Sequence, residues 1–535
     1  MNRRIYTCLI VFLTSFTACN KDFLSHDNPT ATTDDKWWKV ESDLNNALAD
    51  LYTGLPSGTL SNYDFMSNCR LHLSGATDES VFRADFGDWQ TYGSNSNTAQ
   101  SWSTQEMYQK EYYYIRNTCR FLEHYQTAYS SQPEKKERMA AEVRALRAWY
   151  HLDLFMLYGP IAIIDHSLSA NEQYVKRNTS EEVVQFISSE LEKAAAGLPD
   201  KYNLSEQYRI TKGACYAMQT ILYTQVNDYA NAAITAKKVI DGNAYRLHTS
   251  PDPNVTNYAH LFSNNGIGNT EAILFKSRGQ NAGFFRSAPR SLNGQACNSP
   301  TAALVNAYET LQGKTIQELG PDSFAIYAAN PEYKNNRDPR LKATVIVPGE
   351  TFCGKTLNPW DNNSADVIGG TQSTTSGYWV KKYVDPIDQG LYDGGQMNFM
   401  IIRYAEILLD YVEALIETGR HNDPDVTTYL NAIRQRAGMP VVDVSIYNTP
   451  EKLRTLVRRE RQVELAFEGQ RLFDIRRWKL AEKVMKGPVE GAVNPATGKP
   501  VVVEVRAFNP ARDYLWAIPL VELTSNPNMV QNPGY

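Results

Sequence analysis

The sequence predicts a mainly α protein, with helix pairs forming a scaffold and an irregular, loop-rich region carrying a few short strands. Two observations lead there. Apolar residues recur at helical spacing from Tyr108 to Ile240 and again from Tyr404 to Ala437, the pattern of helices that each bury one face. Between 246 and 400 that period is lost, and Pro, Gly and Asn become frequent.

Taken in order, the chain opens on a leader. Arg3 and Arg4 precede an apolar run, Ile5 to Phe16, which is too short to span a bilayer but fits a secretory signal. It ends in Phe16, Thr17, Ala18 and Cys19, which resembles a lipobox with Phe16 where Leu is commoner. Residues 1–18 are therefore expected to be a lipoprotein signal peptide and Cys19 a lipidated residue that anchors the protein without a spanning helix. Residues 19–36 read as a polar tether, and Trp37 and Trp38 brace its end.

Residues 37–245 form the expected helical region. One stripe starts at Leu44. Tyr108, Tyr112, Ile115, Cys119 and Leu122 make the next, and Met139 to Leu157 another, stopped by Gly159 and Pro160. Thr179 and Glu182 form a capping box ahead of Val183, Phe186 and Leu191. Helices over Thr211–Val226 and Tyr229–Ile240 are joined by Asn227 and Asp228 alone. Pairs with links this short are tetratricopeptide-like. The segment Tyr63 to Ser103 interrupts them with Gly, Ser, Asn and aromatic residues, a length that points to function.

Residues 246–400 are the irregular region, with β-like runs at Ala272–Lys276, Lys342–Val347 and Tyr378–Val384. Residues 401–535 return to helices that pack on the array. Thr449 and Pro450 supply an N-cap and first-turn pair. Strands are expected at Val501–Phe508 and Tyr514–Ile518.

Within this last part, Arg458 to Trp478 is dense in charge. Glu460, Glu464 and Glu468 share one side of a helix that Gly469 ends or bends. An acid–base pair or a two-metal cradle is one reading. Arg459, Arg461, Arg471, Arg476 and Arg477 argue for an ion-pair network instead, since each offers a permanently charged fork to a neighbouring carboxylate.

Composition excludes some classes. A formal charge of −5, which turns more negative when Arg3 and Arg4 leave with the leader, argues against nucleic acid. Cysteines 69, 119, 215, 297 and 353 show neither zinc spacing nor a full disulfide framework. No nucleophile elbow, phosphate loop or zinc-protease motif occurs, so no catalytic residue, metal ligand or cofactor is assigned. Asp361, Asn363 and Asp366 offer calcium-type oxygens but lack the glycine and closing Glu of an EF-hand loop.

The segment RRERQVELAFEGQRLFDIRRW (458–478) resembles the signature of SusD/RagB lipoproteins. So do IRNTCRFLEH (115–124), AEVRALRAWYHLDLFMLYG (141–159), NRDPRL (336–341), IRYAEILLDYVEALIETG (402–419), NAIRQRAGM (431–439) and YLWAIPLVELTSNPNMVQNPGY (514–535), in family order. The resemblance implies a tetratricopeptide-like scaffold with ligand contacts on its irregular region. It implies a lipoprotein on the outer face of the outer membrane, seated over a SusC-type TonB-dependent transporter. Members bind glycans, some relatives handle peptides, and none has catalytic activity of its own.

Sugars lay their C–H faces on aromatic rings while amides, carboxylates and guanidinium groups bond the hydroxyls. Trp149, Trp478 and Trp516 lie in periodic segments and read as core. Trp89, Trp102, Trp360 and Trp379 fall in irregular ones. The expected platform is Trp89, Tyr92 and Trp360, aided by Asp88, Asn95, Arg286 and Asn362, with Trp102 nearby. A peptide-import lipoprotein and a glycoside hydrolase, which needs two carboxylates about 5 to 10 Å apart, stay open as alternatives.

Overall fold

The computed structural model describes residues 37–56, 70–83, 89–276, 283–392 and 394–535. Cys19, the tether and Asp88 lie outside them. Ten helices carry the scaffold: α1 (Glu41–Thr53), α2 (Trp102–His124), α3 (Pro133–Tyr158), α4 (Ser180–Gly197), α5 (Lys212–Gln225), α6 (Tyr229–Asp241), α7 (Tyr404–Glu417), α8 (Pro424–Arg436), α9 (Pro450–Glu464) and α10 (Arg471–Arg477). Shorter helices are named below by their residues.

From α2 to α6 each helix packs on the next in sequence, and α7 closes the row against α6. The caps read from sequence are present. Thr179 accepts the Glu182 N–H at 3.2 Å, while the Glu182 carboxylate accepts the Thr179 N–H at 2.9 Å. Gly159 ends α3 at φ +73°, where a Cβ would meet Leu515 at 2.8 Å. The chain enters at Trp38, whose ring stacks on His124 with centroids 5.6 Å apart at the end of α2.

Among the described residues the strands pair antiparallel, two by two. They are β1 (Ser80–Phe82), β2 (Ala272–Lys276), β3 (Asn298–Pro300), β4 (Val345–Ile346), β5 (Thr351–Phe352), β6 (Lys355–Thr356), β7 (Trp379–Val380), β8 (Phe399–Arg403), β9 (Gly487–Asn494) and β10 (Lys499–Arg506). The pairs are β1 with β3, β2 with β8, β4 with β7, β5 with β6, and β9 with β10.

Three local expectations are corrected. Lys342–Val347 opens as a helix, Pro339–Thr344, because Asp338 caps it by accepting the Arg340 N–H at 3.0 Å. Tyr514–Ile518 joins no ladder. Its backbone groups are satisfied otherwise, the Trp516 N–H donating to Leu157 O at 2.9 Å and the Ile518 N–H to Gln531 Oε1 at 2.7 Å. The charged helix ends at Glu464, before Gly469, and a turn with Phe467 at φ +60° separates α9 from α10. Gly469 completes that turn at φ +81°, where a Cβ would lie 2.8 Å from Arg70 O.

Candidate functional site

The structure stitches together the segments from which the sequence drew its platform. Val81 of β1 faces Ser299 of β3. Ser299 Oγ accepts the Thr375 N–H at 3.0 Å, and the Asp366 carboxylate accepts the Ser291 N–H at 2.9 Å. The aromatic rings, however, do not meet on one surface.

Trp89 and Tyr92 are corrected to core residues, 4% and 3% exposed. Trp89 lies against Phe82, His72 and Tyr92, and Tyr92 sits 4.3 Å from Trp516, centroid to centroid. This aromatic cluster pushes the His72 imidazole down to about 3, through burial and then the nearby Arg286 charge. Arg286 is itself buried, donating to Gln295 Oε1 at 2.6 Å. Asn95 Nδ2 donates to Ala507 O at 2.8 Å. Trp379 is fully enclosed. What stays accessible is Trp360, half-buried against a second apolar cluster, with exposed Asn362 beside it, and Trp102, 43% exposed at the start of α2.

Of the calcium-type oxygens, Asp366 is buried and engaged by Ser291, and Asp361 accepts the Asn363 N–H at 2.9 Å. Among the described residues no three His, Cys, Asp or Glu side chains gather as a metal set.

The sequence placed ligand contacts in residues 246–400 but named none of the side chains that line a cleft there. This cleft encloses 610 Å³ and is lined only by residues between Asn254 and Pro386. One wall is the short helix Asn257–Leu261, capped by Thr256, with Phe262 after it. The other runs from Glu332 through the helix Pro339–Thr344, with Phe352, Lys381 and Asp385 closing the end. Polar and aromatic groups alternate here. Lys381 Nζ stands 5.7 Å over the Phe352 ring and 2.5 Å from Glu350. Burial pushes the Glu332 carboxyl up, against the fields of Lys342 and Arg337. Arg337 is buried and donates to the carbonyls of Pro331, Val305 and Tyr308 at 3.0, 2.6 and 3.0 Å. Only the NRDPRL block hinted at this wall.

The same block reaches the charged segment. Arg340, one residue beyond the wall's N1 proline, donates to Asp338, to Glu460 at 2.6 Å and to Glu464 at 2.9 Å. Arg403 bonds Glu464, Glu468 and Glu271 at 2.6, 2.6 and 2.8 Å. Arg436 reaches Glu464 and Glu271, and Arg434 reaches Glu460 and Glu309. Burial opposes ionisation of Glu464, but Arg436, Arg403 and Arg340 outweigh it and hold the carboxyl far below its ordinary range.

The ion-pair reading therefore stands, with its partners corrected. Glu460, Glu464 and Glu468 are neutralised from distant elements, while the segment's own arginines pair with other carboxylates, Arg461 and Arg477 with Asp474 inside the segment. Arg459 pairs Glu309, Arg461 pairs Asp410 and Asp474, Arg471 pairs Asp78, and Arg477 pairs Glu413. Lys382 plugs the turn after α9, donating to Ala466 O at 2.8 Å and Glu468 at 2.6 Å. Glu406 and Asp410, one helical turn apart, are both pushed up by burial, Asp410 to about 6. They are sealed inside α7 and line none of the cavities described here.

A sequence profile of the SusD family matches residues 260–535, and a second, described as "Starch-binding associating with outer membrane", matches residues 22–223. The chain belongs to the SusD family. It is 26% identical to the starch-binding protein SusD of Bacteroides thetaiotaomicron over 445 residues, covering 74% of this chain and 73% of that one. Two solved structures from Bacteroides fragilis, a SusD-like protein and a SusD-like carbohydrate-binding protein, each superpose with a TM-score of 0.81 at 26% identity. The first covers 94% of this chain and 99% of its own, the second 92% and 99%.

Proposed function

We propose that this protein captures oligosaccharide at the cell surface and delivers it to a SusC-type TonB-dependent transporter, held on the outer membrane by lipid on Cys19. It performs no chemistry on the glycan. The observation that carries the reading is the 610 Å³ cleft, where exposed Val255 and Leu311 supply apolar faces beside Asn254, Asn335, Lys342 and Lys381. That mixture suits a polyhydroxylated ligand with apolar C–H faces. The printed names of its relatives, starch-binding and carbohydrate-binding, point the same way. Trp360 with Asn362 forms an accessible adjunct for a longer chain. Among the described residues no helix is long and apolar enough to cross a membrane, so attachment falls to the leader and Cys19.

Lys342 and Asn335 are exposed side chains, and their removal leaves the core intact. Affinity electrophoresis in a polysaccharide panel is expected to show retention of the wild type by one polymer. Lys342→Ala and Asn335→Ala should lose that retention without a change in melting temperature. Retention unchanged in both variants removes the cleft as the site. Cys19→Ala should release the protein from the outer membrane, and detergent pull-down of the wild type should recover the transporter.

A further inference from the structure

The short helix Asn257–Leu261 faces two ways. Thr256, Ala259 and Ser263, spaced by three and four residues, line the cleft. The residues between them tie the helix to the ion-pair network behind it. Asn257 Nδ2 donates to Arg436 O at 3.2 Å, and Asn257 Oδ1 accepts the Ser250 N–H at 2.8 Å. The Tyr258 hydroxyl donates to Glu464 O at 2.7 Å and accepts from Lys382 Nζ at 2.8 Å.

The third tie is of another kind. His260 Nδ1 lies 2.9 Å from His248 Nε2, with the ring centroids 5.0 Å apart and the planes inclined by 25°. Both side chains are buried, His260 at 6% and His248 at 8% exposure. The His248 N–H donates to Glu271 Oε2 at 2.8 Å, and the Glu271 carboxylate also receives Arg403 and Arg436. The connection thus runs from the cleft wall through two imidazoles into the network that holds Glu464.

Two imidazoles at this distance share one proton between their facing nitrogens, one ring donating and the other accepting. A first added proton leaves that bond in place, because an imidazolium donates to a neutral ring. A second puts N–H groups on both facing nitrogens and two positive charges in a buried space. The hydrogen bond is then lost and the rings repel.

The surroundings do not absorb that charge. Arg246 and Asp252 stand on the His248 segment, Arg436 ends α8, and Arg340 and Lys342 belong to the helix Pro339–Thr344 packed on Asn257–Leu261. Lys382 Nζ and the Arg403 guanidinium lie 4.1 and 5.6 Å from the centroid of the Phe262 ring. Among the carboxylates, Glu271 and Glu464 are each paired with two or more arginines, and Asp385 and Asp388 are engaged by Asn264. Burial, then the His260 ring, holds the His248 imidazole below its ordinary range, with Glu271 acting against the shift and Arg436 adding to it.

We infer that the His248–His260 pair is an acid-operated latch on the cleft: its second proton breaks the bond and frees the helix Asn257–Leu261, with Thr256, Ala259 and Ser263, from the network behind it. The sign follows from proton counting. With the latch open, both rings titrate near the ordinary value of about 6.5 and take up two protons, whereas the closed pair holds one at most. Opening is therefore favoured as pH falls. For a glycan held in the cleft, which rests on the function proposed above, the freed wall lowers retention in acid.

Hydrogen exchange of the full-length protein without ligand tests this, read by mass spectrometry as protection factors so that the intrinsic pH dependence of exchange cancels. Between about pH 7 and about pH 5, protection over residues 256–263 is expected to fall roughly tenfold or more, while protection over α4 holds. In His260→Gln the amide bonds the remaining imidazole in either protonation state, and the fall should shrink to about threefold or less. His248→Gln should do the same from the other side of the pair, and either variant alone decides. Equal protection at both pH values in the wild type, an undiminished fall in a folded variant, or a matching fall over α4 overturns the inference. None of these outcomes touches the glycan reading of the cleft, since no ligand enters the measurement.

Discussion

The helix row and the charged segment are buried to the same degree by opposite chemistry. Between α2 and α6 the filling is Ile115, Val143, Leu146, Ile187, Ala214, Met218 and Leu222, none more than 1% exposed. Around α9 and α10 it is Glu460, Glu464, Glu468, Arg461 and Asp474, none more than 3% exposed. Apolar packing is non-directional, so a stripe coheres with whatever apolar face it meets. A buried charge needs its particular partner, because an uncompensated ion in the interior costs more than the pair contributes. The row is thus held mainly by surface area, with buried pairs such as Arg147–Glu190 within it, and the clasp by pairing.

Acid should break the comparison most widely. Glu413, Glu460, Glu464 and Asp474 are all held below their ordinary range by arginines that outweigh burial. A lowered folded-state pKa contributes stability that is present above the unfolded value and lost as pH falls through the folded one. Urea unfolding followed by circular dichroism should therefore show stability falling steeply below about pH 4, by more than any single substitution below. Glu79 works in the other sense. Burial pushes it up to about 8, so its contribution is full near pH 4.5 and is lost as pH climbs to 8. A profile flat from pH 7 to pH 3 would show that the clasp does not hold the fold.

Arg403→Met comes next. It takes one buried partner at once from Glu464, Glu468 and Glu271, leaving them to Arg340, Arg436 and Lys382, and should cost about 3 to 5 kcal/mol, read as a drop in the urea midpoint. In the row, Leu222→Ala leaves a cavity at a fully buried position on α5 and should cost about 3 kcal/mol. Its pH profile should parallel the wild type, whereas that of Arg403→Met should flatten in acid. The smallest effect is Thr179→Ala, which removes the α4 cap at about 1 kcal/mol and shifts the thermal midpoint by about one degree in a chain this long. A cost for Arg403→Met below that of Thr179→Ala would reverse the argument.

The row was legible in the sequence and the cleft was not, for a physical reason. Helices α2 to α6 announce themselves through period, caps and the Asn227 turn, all local properties. The cleft is assembled from Asn254 to Pro386 by tertiary contact, and only Asp338 with Pro339 marks one of its walls. The platform failed at Trp89 and Tyr92 because an aromatic-rich loop looks the same whether its rings face solvent or stack under it. They lie one turn apart, Trp89 capping the short helix Gln90–Gly93, and both rings enter the core. The segment 458–478 was legible in kind, as ion pairs, but its partners were invisible because they come from residues up to 393 positions away, as Asp78 is from Arg471. The hairpin strand β9 was hidden by Gly487, Pro488 and Gly491, which read as a loop.

Synthesis runs from the N-terminus, and this sets the order in which the clasp can close. Arg340, Arg403, Arg434 and Arg436 all precede α9 and the turn that follows it, where Glu460, Glu464 and Glu468 reside. Until those last residues arrive, four guanidinium groups destined for the interior have too few counter-ions and must stay wetted. The wall that Arg340 braces therefore waits on the C-terminal segment. A chain cut short before Glu460 should be an open, protease-sensitive species, and the cleft between Asn254 and Pro386 should be one of the last features of the molecule to acquire its shape.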